Sequence, residues 1–113
     1  MSLGAPWMSY QEDAMEKGLP SRRFVCEHQI VPNLDMELIH NMHRTLKQEI
    51  RVLYTFANLR EQTMCSVIES HDRLTVEAFF TSMRIPCDKI TEVEVQGEGR
   101  EKIEDLREAR KAA

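Results

Sequence analysis

Thr63–Val95, TMCSVIESHDRLTVEAFFTSMRIPCDKITEVEV, holds a strand, a helix and a second strand in one run, each with its own punctuation. Thr63–Ile68 is rich in Val, Ile and Thr and too short for a stable helix, so it predicts a strand. Ser70 and Asp72 are both N-cap residues, able to accept from the first free amides of a helix. Leu74, Ala78, Phe79 and Met83, with Val76 and Phe80 beside them, then recur at helical spacing over about 73–84. Pro86 is the expected stop, because it lacks an N–H and pushes Ile85 towards an extended backbone. Thr91, Val93 and Val95 alternate with Glu92 and Glu94, which predicts a last strand near 90–96.

Upstream the pattern repeats. Residues 24–31 read as a strand with Phe24, Cys26, His28 and Ile30 on one face and Val25, Glu27, Gln29 and Val31 on the other. Asp35 is the expected cap of a helix over 35–48, with Leu38, Ile39, Met42 and Leu46 as its apolar stripe. Ile50, Val52, Tyr54 and Phe56 alternate with Arg51, Leu53 and Thr55 in a strand over 50–57, and polar Asn58–Gln62 turns the chain into the stretch quoted above. The expected fold is therefore α+β, a ferredoxin-like β-α-β-β-α-β domain with a four-stranded antiparallel sheet in the order 4-1-3-2. Right-handed crossovers place both helices on one face and leave the other open. Val25, Leu53 and Val67 are expected on that open face, and covering them with a second copy predicts a homodimer.

Three segments follow: an N-terminal extension over 1–22, the ferredoxin-like domain over 23–97, and a charged helix over 98–113. The extension is punctuated by Gly4, Pro6, Gly18 and Pro20 and reads first as a partly ordered tail, with an arm whose Trp7 and Tyr10 pack on this or another subunit as the alternative. Beyond Gly97 and Gly99, the segment from Arg100 is rich in helix formers with i,i+3 and i,i+4 charge pairs.

The chain has 113 residues, enough for one domain with a modest core. Its net charge of −4 disfavours nucleic acid, and the strands are read as lacking the exposed aromatic pair that stacks bases in RNA-binding sheets. No apolar run approaches the ~20 residues that span a bilayer, and no secretory signal is read at the start. Three cysteines with no CxxC pair are expected as free thiols in a reducing cytoplasm.

No phosphate loop, nucleophile elbow or HExxH is present. His40 and His43 stand three apart, away from the apolar stripe of their helix, and are read as a solvated pair. Cys87 has only Lys89 as a basic neighbour, so no lowered thiol pKa is indicated there. Cys26 and His28 share a strand face and stay open as a nucleophile and base, provided that side chains ~6.5–7 Å apart converge. In the 4-1-3-2 order, Glu27 on the first strand and Cys65 on the third are central neighbours on the open face. A carboxylate there calls for a cation, a hydroxyl such as Tyr54, or water, and an ion pair with Arg51 or another base across the sheet is the favoured alternative to a metal. A thiolate and a carboxylate are two ligands for a divalent transition ion, nickel or zinc, with His28, His71 or a second subunit completing the set.

The pieces V-C-E-H-x-I at Val25–Ile30, M-C-S-V at Met64–Val67 and I-P-C-D-K-I-T-E-V at Ile85–Val93 resemble a family of small bacterial proteins of unknown function. That family includes a nickel-binding, ferredoxin-like member, and the resemblance spans about Arg22–Val95. It departs where the family carries Trp and His in the second strand, here Val52 and Tyr54, and a His in the second helix. The resemblance implies a ferredoxin-like fold and a nickel-like metal. The expected function is that of a binding or accessory protein holding a metal ion or small ligand on the open face, at Glu27 and Tyr54 or at Glu27, Cys65, His28 and His71. A small cofactor-free dimeric enzyme of monooxygenase or isomerase type, or a structural domain, is the alternative. The enzyme would need an enclosed pocket lined by Glu27 or His28.

Overall fold

The computed structural model describes residues 22–45 and 49–107. They belong to two compact units, residues 22–93 and the segment that starts at Glu94. The expected extension over 1–22, with Trp7 and Tyr10, lies outside the described residues except for Arg22, and so do Leu46 and residues 108–113.

The first unit runs β1 (Arg22–His28), α1 (Met36–His43), β2 (Ile50–Asn58), β3 (Thr63–Ser70), α2 (Arg73–Ser82) and β4 (Lys89–Glu92). Its four strands form one antiparallel sheet in the order β2-β3-β1-β4, which is 4-1-3-2 read from the opposite edge. Both helices contribute to a single core with one sheet face: Met42 from α1 and Val76, Phe79 and Phe80 from α2 meet Phe24, Cys26, Ile50, Met64 and Ile68. Each such apolar side chain contributes roughly 1.5–3 kcal/mol on burial.

The caps follow the sequence closely. Asp35 Oδ1 accepts from Leu38 N at 2.9 Å and Asp72 Oδ1 from Thr75 N at 2.7 Å. Hydrogen bonds from Thr75 hold the Asp72 carboxyl below the usual carboxylate range. Its contribution is therefore fully present above the unfolded value near 3.9 and is lost as pH falls through the lower folded value. Asp72→Ala is expected to cost about 1 kcal/mol at pH 7. In urea melts the gap between wild type and variant should shrink by pH 3, and a gap independent of pH would contradict a charged cap.

Several boundaries differ from expectation for identifiable reasons. α2 ends at Ser82, with Met83 as its C-cap and a left-handed Arg84 (φ 57°) after it, Ile85 N donating to Phe80 O at 2.9 Å and Arg84 N to Thr81 O at 3.0 Å. This is a Schellman closure, and Pro86 only follows it. The buried stripe of α2 is Val76, Phe79 and Phe80, whereas Leu74 is 74% exposed and Ala78 is exposed. β1 stops at His28, so Ile30 turns outward (69% exposed) and Val31 is buried. Gln62 (φ 59°) organises that corner: its carbonyl accepts from Val31 N at 2.8 Å, and its side chain bonds Leu34 N and Leu34 O.

The last strand was expected to continue to 96. It ends at Glu92, with Val93 N donating to Arg23 O at 2.8 Å. The second unit, described by itself, is a hairpin of β5 (Val95–Glu98) and β6 (Lys102–Asp105). The expected C-terminal helix over 98–113 is corrected for residues 98–105, and its residues 108–113 lie outside the described residues. Gly99 adopts φ 59° in the turn, Val95–Glu98 pairs with Lys102–Asp105, and Leu106 N closes onto Glu94 O at 2.8 Å. Helix propensity differs by only a few tenths of a kcal/mol per residue, and an available strand partner overrides it.

Candidate functional site

The sheet face away from the helices is set out by the ladder register, since directly paired residues point to the same side. One row is Tyr54, Val67, Val25 and Thr91; the next is Phe56, Cys65, Glu27 and Lys89; a third is Arg51, Glu69 and Arg23. Val25 and Val67 lie on this face as expected, both half-buried.

Tyr54 and Phe56 come to this face by a device invisible in the alternation. The register shifts between Val52 and Tyr54, so Val52 pairs with Ile68 and Tyr54 with the next residue, Val67. Leu53 is the extra residue of a β-bulge, and every side chain after it changes face. The expected single face of Ile50, Val52, Tyr54 and Phe56 is thus corrected: the first two turn to the helices, the last two to the open side. Tyr54 is 48% exposed and Phe56 63%, and their rings stack with centroids 6.4 Å apart and planes 20° apart. The expectation that the sheet lacks an exposed aromatic pair is therefore overturned. The pair lies on an edge strand, however, in line with Glu27, and the net charge of −4 opposes a polyanion.

Of the residues proposed for metal, Glu27 and Cys65 are direct cross-strand partners, about 4.5–5.5 Å apart between Cβ atoms. Burial first, then the Glu27 charge, pushes the Cys65 thiol up. Lys89 pairs with Glu27 on the other side, while Arg51 and Arg23 instead flank the buried Glu69 at 3.8 and 3.5 Å. Tyr54 stands one row away from Glu27, beside Val67.

His28 and His71 do not join them. His28 points into the core, 2% exposed, with Nδ1 2.8 Å from the Pro86 carbonyl and Nε2 3.1 Å from Ser66 Oγ. A carbonyl can only accept, so Nδ1 carries the proton and Nε2 accepts from Ser66. The ring sits edge-on to Phe80 at 4.6 Å. Burial depresses its pKa, against smaller opposing effects of the Pro86 bond and Asp88. His71 follows the end of β3 and pairs with Asp72 at 3.3 Å, about 20 Å along the strand from Cys65 at 3.3 Å per residue. Among the described residues no group of three or more His, Cys, Asp or Glu is placed to hold a metal ion. His43 Nε2 reaches Thr55 Oγ1 at 2.8 Å, so the His40/His43 pair is tied to β2 on one side.

A cleft of about 280 Å³ lies between α2 and the segment leading into β4, walled by Arg73, Glu77, Thr81, Cys87, Asp88 and Lys89 and by neither Glu27 nor His28. At its wall the structure makes a juxtaposition that the sequence reading missed. The Cys87 side chain packs against the core, and its thiol donates to the carbonyls of Glu27 at 3.8 Å and Lys89 at 3.6 Å, while the thiol of Cys26, 0% exposed on β1, donates to that of Phe24 at 3.9 Å. Burial, then Cys87, raises the Cys26 pKa, and burial also raises that of Cys87. The pairing of β1 with β4 was legible as a signal, but not its register. Among the described residues no helix is long and apolar enough to cross a membrane. Comparison of the chain with models of known families, with curated proteins and with solved structures returned no match.

Proposed function

We propose that this chain is a ferredoxin-like binding protein, of the kind that its strand motifs resemble, whose working surface is the open sheet face and whose first partner is a second copy of itself. The observation that carries this is the stacked, exposed Tyr54–Phe56 pair beside Val25, Val67 and Cys65. A monomer rarely leaves such a contiguous apolar patch in water unless something binds it. A two-fold interface is self-complementary. Glu27 and Lys89, adjacent in one row, would each meet the other residue of the second copy. The same symmetry would double the Glu27/Cys65 pair to four donors, the number that a divalent ion such as zinc takes; nickel is the ion implied by the family resemblance.

Sedimentation at tens of micromolar is expected to show a dimer for wild type and a monomer for Phe56→Glu, because a carboxylate desolvated without a partner costs several kcal/mol. A wild-type monomer at that concentration would remove the second copy as partner. Calorimetric titration with nickel or zinc is expected to give heat with wild type and little with Glu27→Gln. No heat with either protein would leave the face as a protein-contact surface alone.

A further inference from the structure

We infer that the outer edge of β2, over residues 54–58, pairs antiparallel with the same edge of a second copy and joins two four-stranded sheets into one of eight strands. This edge is a surface distinct from the open face, so the pairing is a second contact between copies and does not depend on the first.

The sheet order β2-β3-β1-β4 leaves two edges, and they are built differently. β4 is four residues long and carries Lys89 and Glu92, a short charged edge of the kind that resists pairing. β2 has nine residues, with Arg51 as its single charge and neither proline nor glycine. Its bulge lies at Leu53, and beyond it residues 54–58 run in unbroken register against β3. In an antiparallel ladder alternate residues turn their N–H and C=O groups away from the neighbouring strand. Among the described residues β2 has β3 as its only strand partner, so those outward groups are ready for another strand. Tyr54, Phe56, Ala57 and Asn58 are all exposed there.

The order of side chains selects a second copy as the strand that fits. Tyr54-Thr55-Phe56 reads aromatic, threonine, aromatic in either direction. A two-fold axis through Thr55 therefore sets each Tyr54 opposite the Phe56 of the other copy, and each Thr55 opposite its own equivalent. Tyr54 and Phe56 turn to the open side, where their rings stack at 6.4 Å, so pairing extends that stack to four rings on one surface. Thr55 pairs with Ser66 and turns to the helix side, where its Oγ1 meets His43 Nε2 at 2.8 Å. No charge lies within 54–58, so identical strands meet without like charges opposed. One strand edge buries less than the ~1,200 Å² of a standard interface, so this contact fills at higher concentration than the face contact.

The test is amide hydrogen exchange by nuclear magnetic resonance on the full chain at tens of micromolar and at millimolar concentration. In the dilute sample the amides of 54–58 that face β3 are expected to be protected and the alternate ones to exchange freely. In the concentrated sample the alternate amides should slow at least about ten-fold, as a site nine-tenths paired requires. Sedimentation should there show a species of twice the mass found at tens of micromolar. Thr55→Lys sets like charges across the axis and should abolish both changes, whereas Thr55→Val, which loses the same bond to His43, should keep them. Unaltered far-ultraviolet circular dichroism will show that the variants fold, and exchange in wild type decides the matter without them. The state at tens of micromolar reports on the open face and the changes above it on the edge, so the two readings fail separately. Alternate amides that exchange equally fast at both concentrations would overturn the pairing. So would slowing without the doubled mass, slowing that persists in Thr55→Lys, or slowing lost in Thr55→Val.

Discussion

Phe80→Ala is expected to lower the urea midpoint of this protein far more than any change on the exposed side of the same helix. Phe80 is 1% exposed, edge-on to His28 at 4.6 Å and tilted against Phe79 at 5.2 Å. Its removal opens a cavity between α2 and the sheet, and such truncations cost about 3–5 kcal/mol. A domain of this size has only about 5–15 kcal/mol in total. Leu74→Ala, on the 74% exposed side of the same helix, should change stability by no more than about 0.5 kcal/mol. Urea melts followed by far-ultraviolet circular dichroism compare the two. Equal effects would mean that α2 is rotated from the orientation described.

The second large effect is expected at His28. Alanine there leaves the Pro86 carbonyl and the Ser66 hydroxyl without their partner and empties ring volume from the core. Together these should cost about 2–4 kcal/mol. The pH dependence follows from the depressed pKa of the buried ring, caused mainly by burial. Protonated His28 would present a proton at Nε2 to Ser66 and a charge to the core. The unfolded chain takes up its proton near pH 6.5, while the folded ring does not until lower pH. The contribution of neutral His28 is therefore fully present above about pH 6.5 and is lost as pH falls through the folded value. His28→Gln should flatten the fall in urea midpoint between pH 7 and pH 5, whatever its cost at pH 7. His43 is depressed in the same direction, by burial and then by His40, so His43→Gln is the control. A fall that survives His28→Gln and disappears in His43→Gln would place the acid sensitivity at the exposed pair instead.

What the sequence determined by itself was the set of elements that rest on local physics. Asp35 and Asp72 cap helices because their carboxylates meet free amides three residues on, a bond written within one turn of chain. Val25, Glu27, Cys65 and Val67 share a face because a strand alternates, and the strand order brings β1 and β3 together. The pairing of Glu27 with Cys65 was within reach for the same reason, once the register proved in phase.

Only the tertiary structure decided the rest. The bulge at Leu53, which delivers Tyr54 and Phe56 to the open face, is a choice of hydrogen-bond register against β3, and no residue in β2 announces it. The side on which α2 buries Val76, Phe79 and Phe80 rather than Leu74 and Ala78 depends on the sheet surface beneath it. His71 left the expected ligand set because β3 carries it beyond reach, whereas the alternation of β1 had already set His28 opposite Glu27. Residues 102–105 became a strand rather than a helix because β5 lies within a turn of them as a partner. Cys87 reached the Glu27 carbonyl because the chain folds Pro86–Asp88 back onto β1, and hydrogen bonds between segments so distant in sequence leave no local signature.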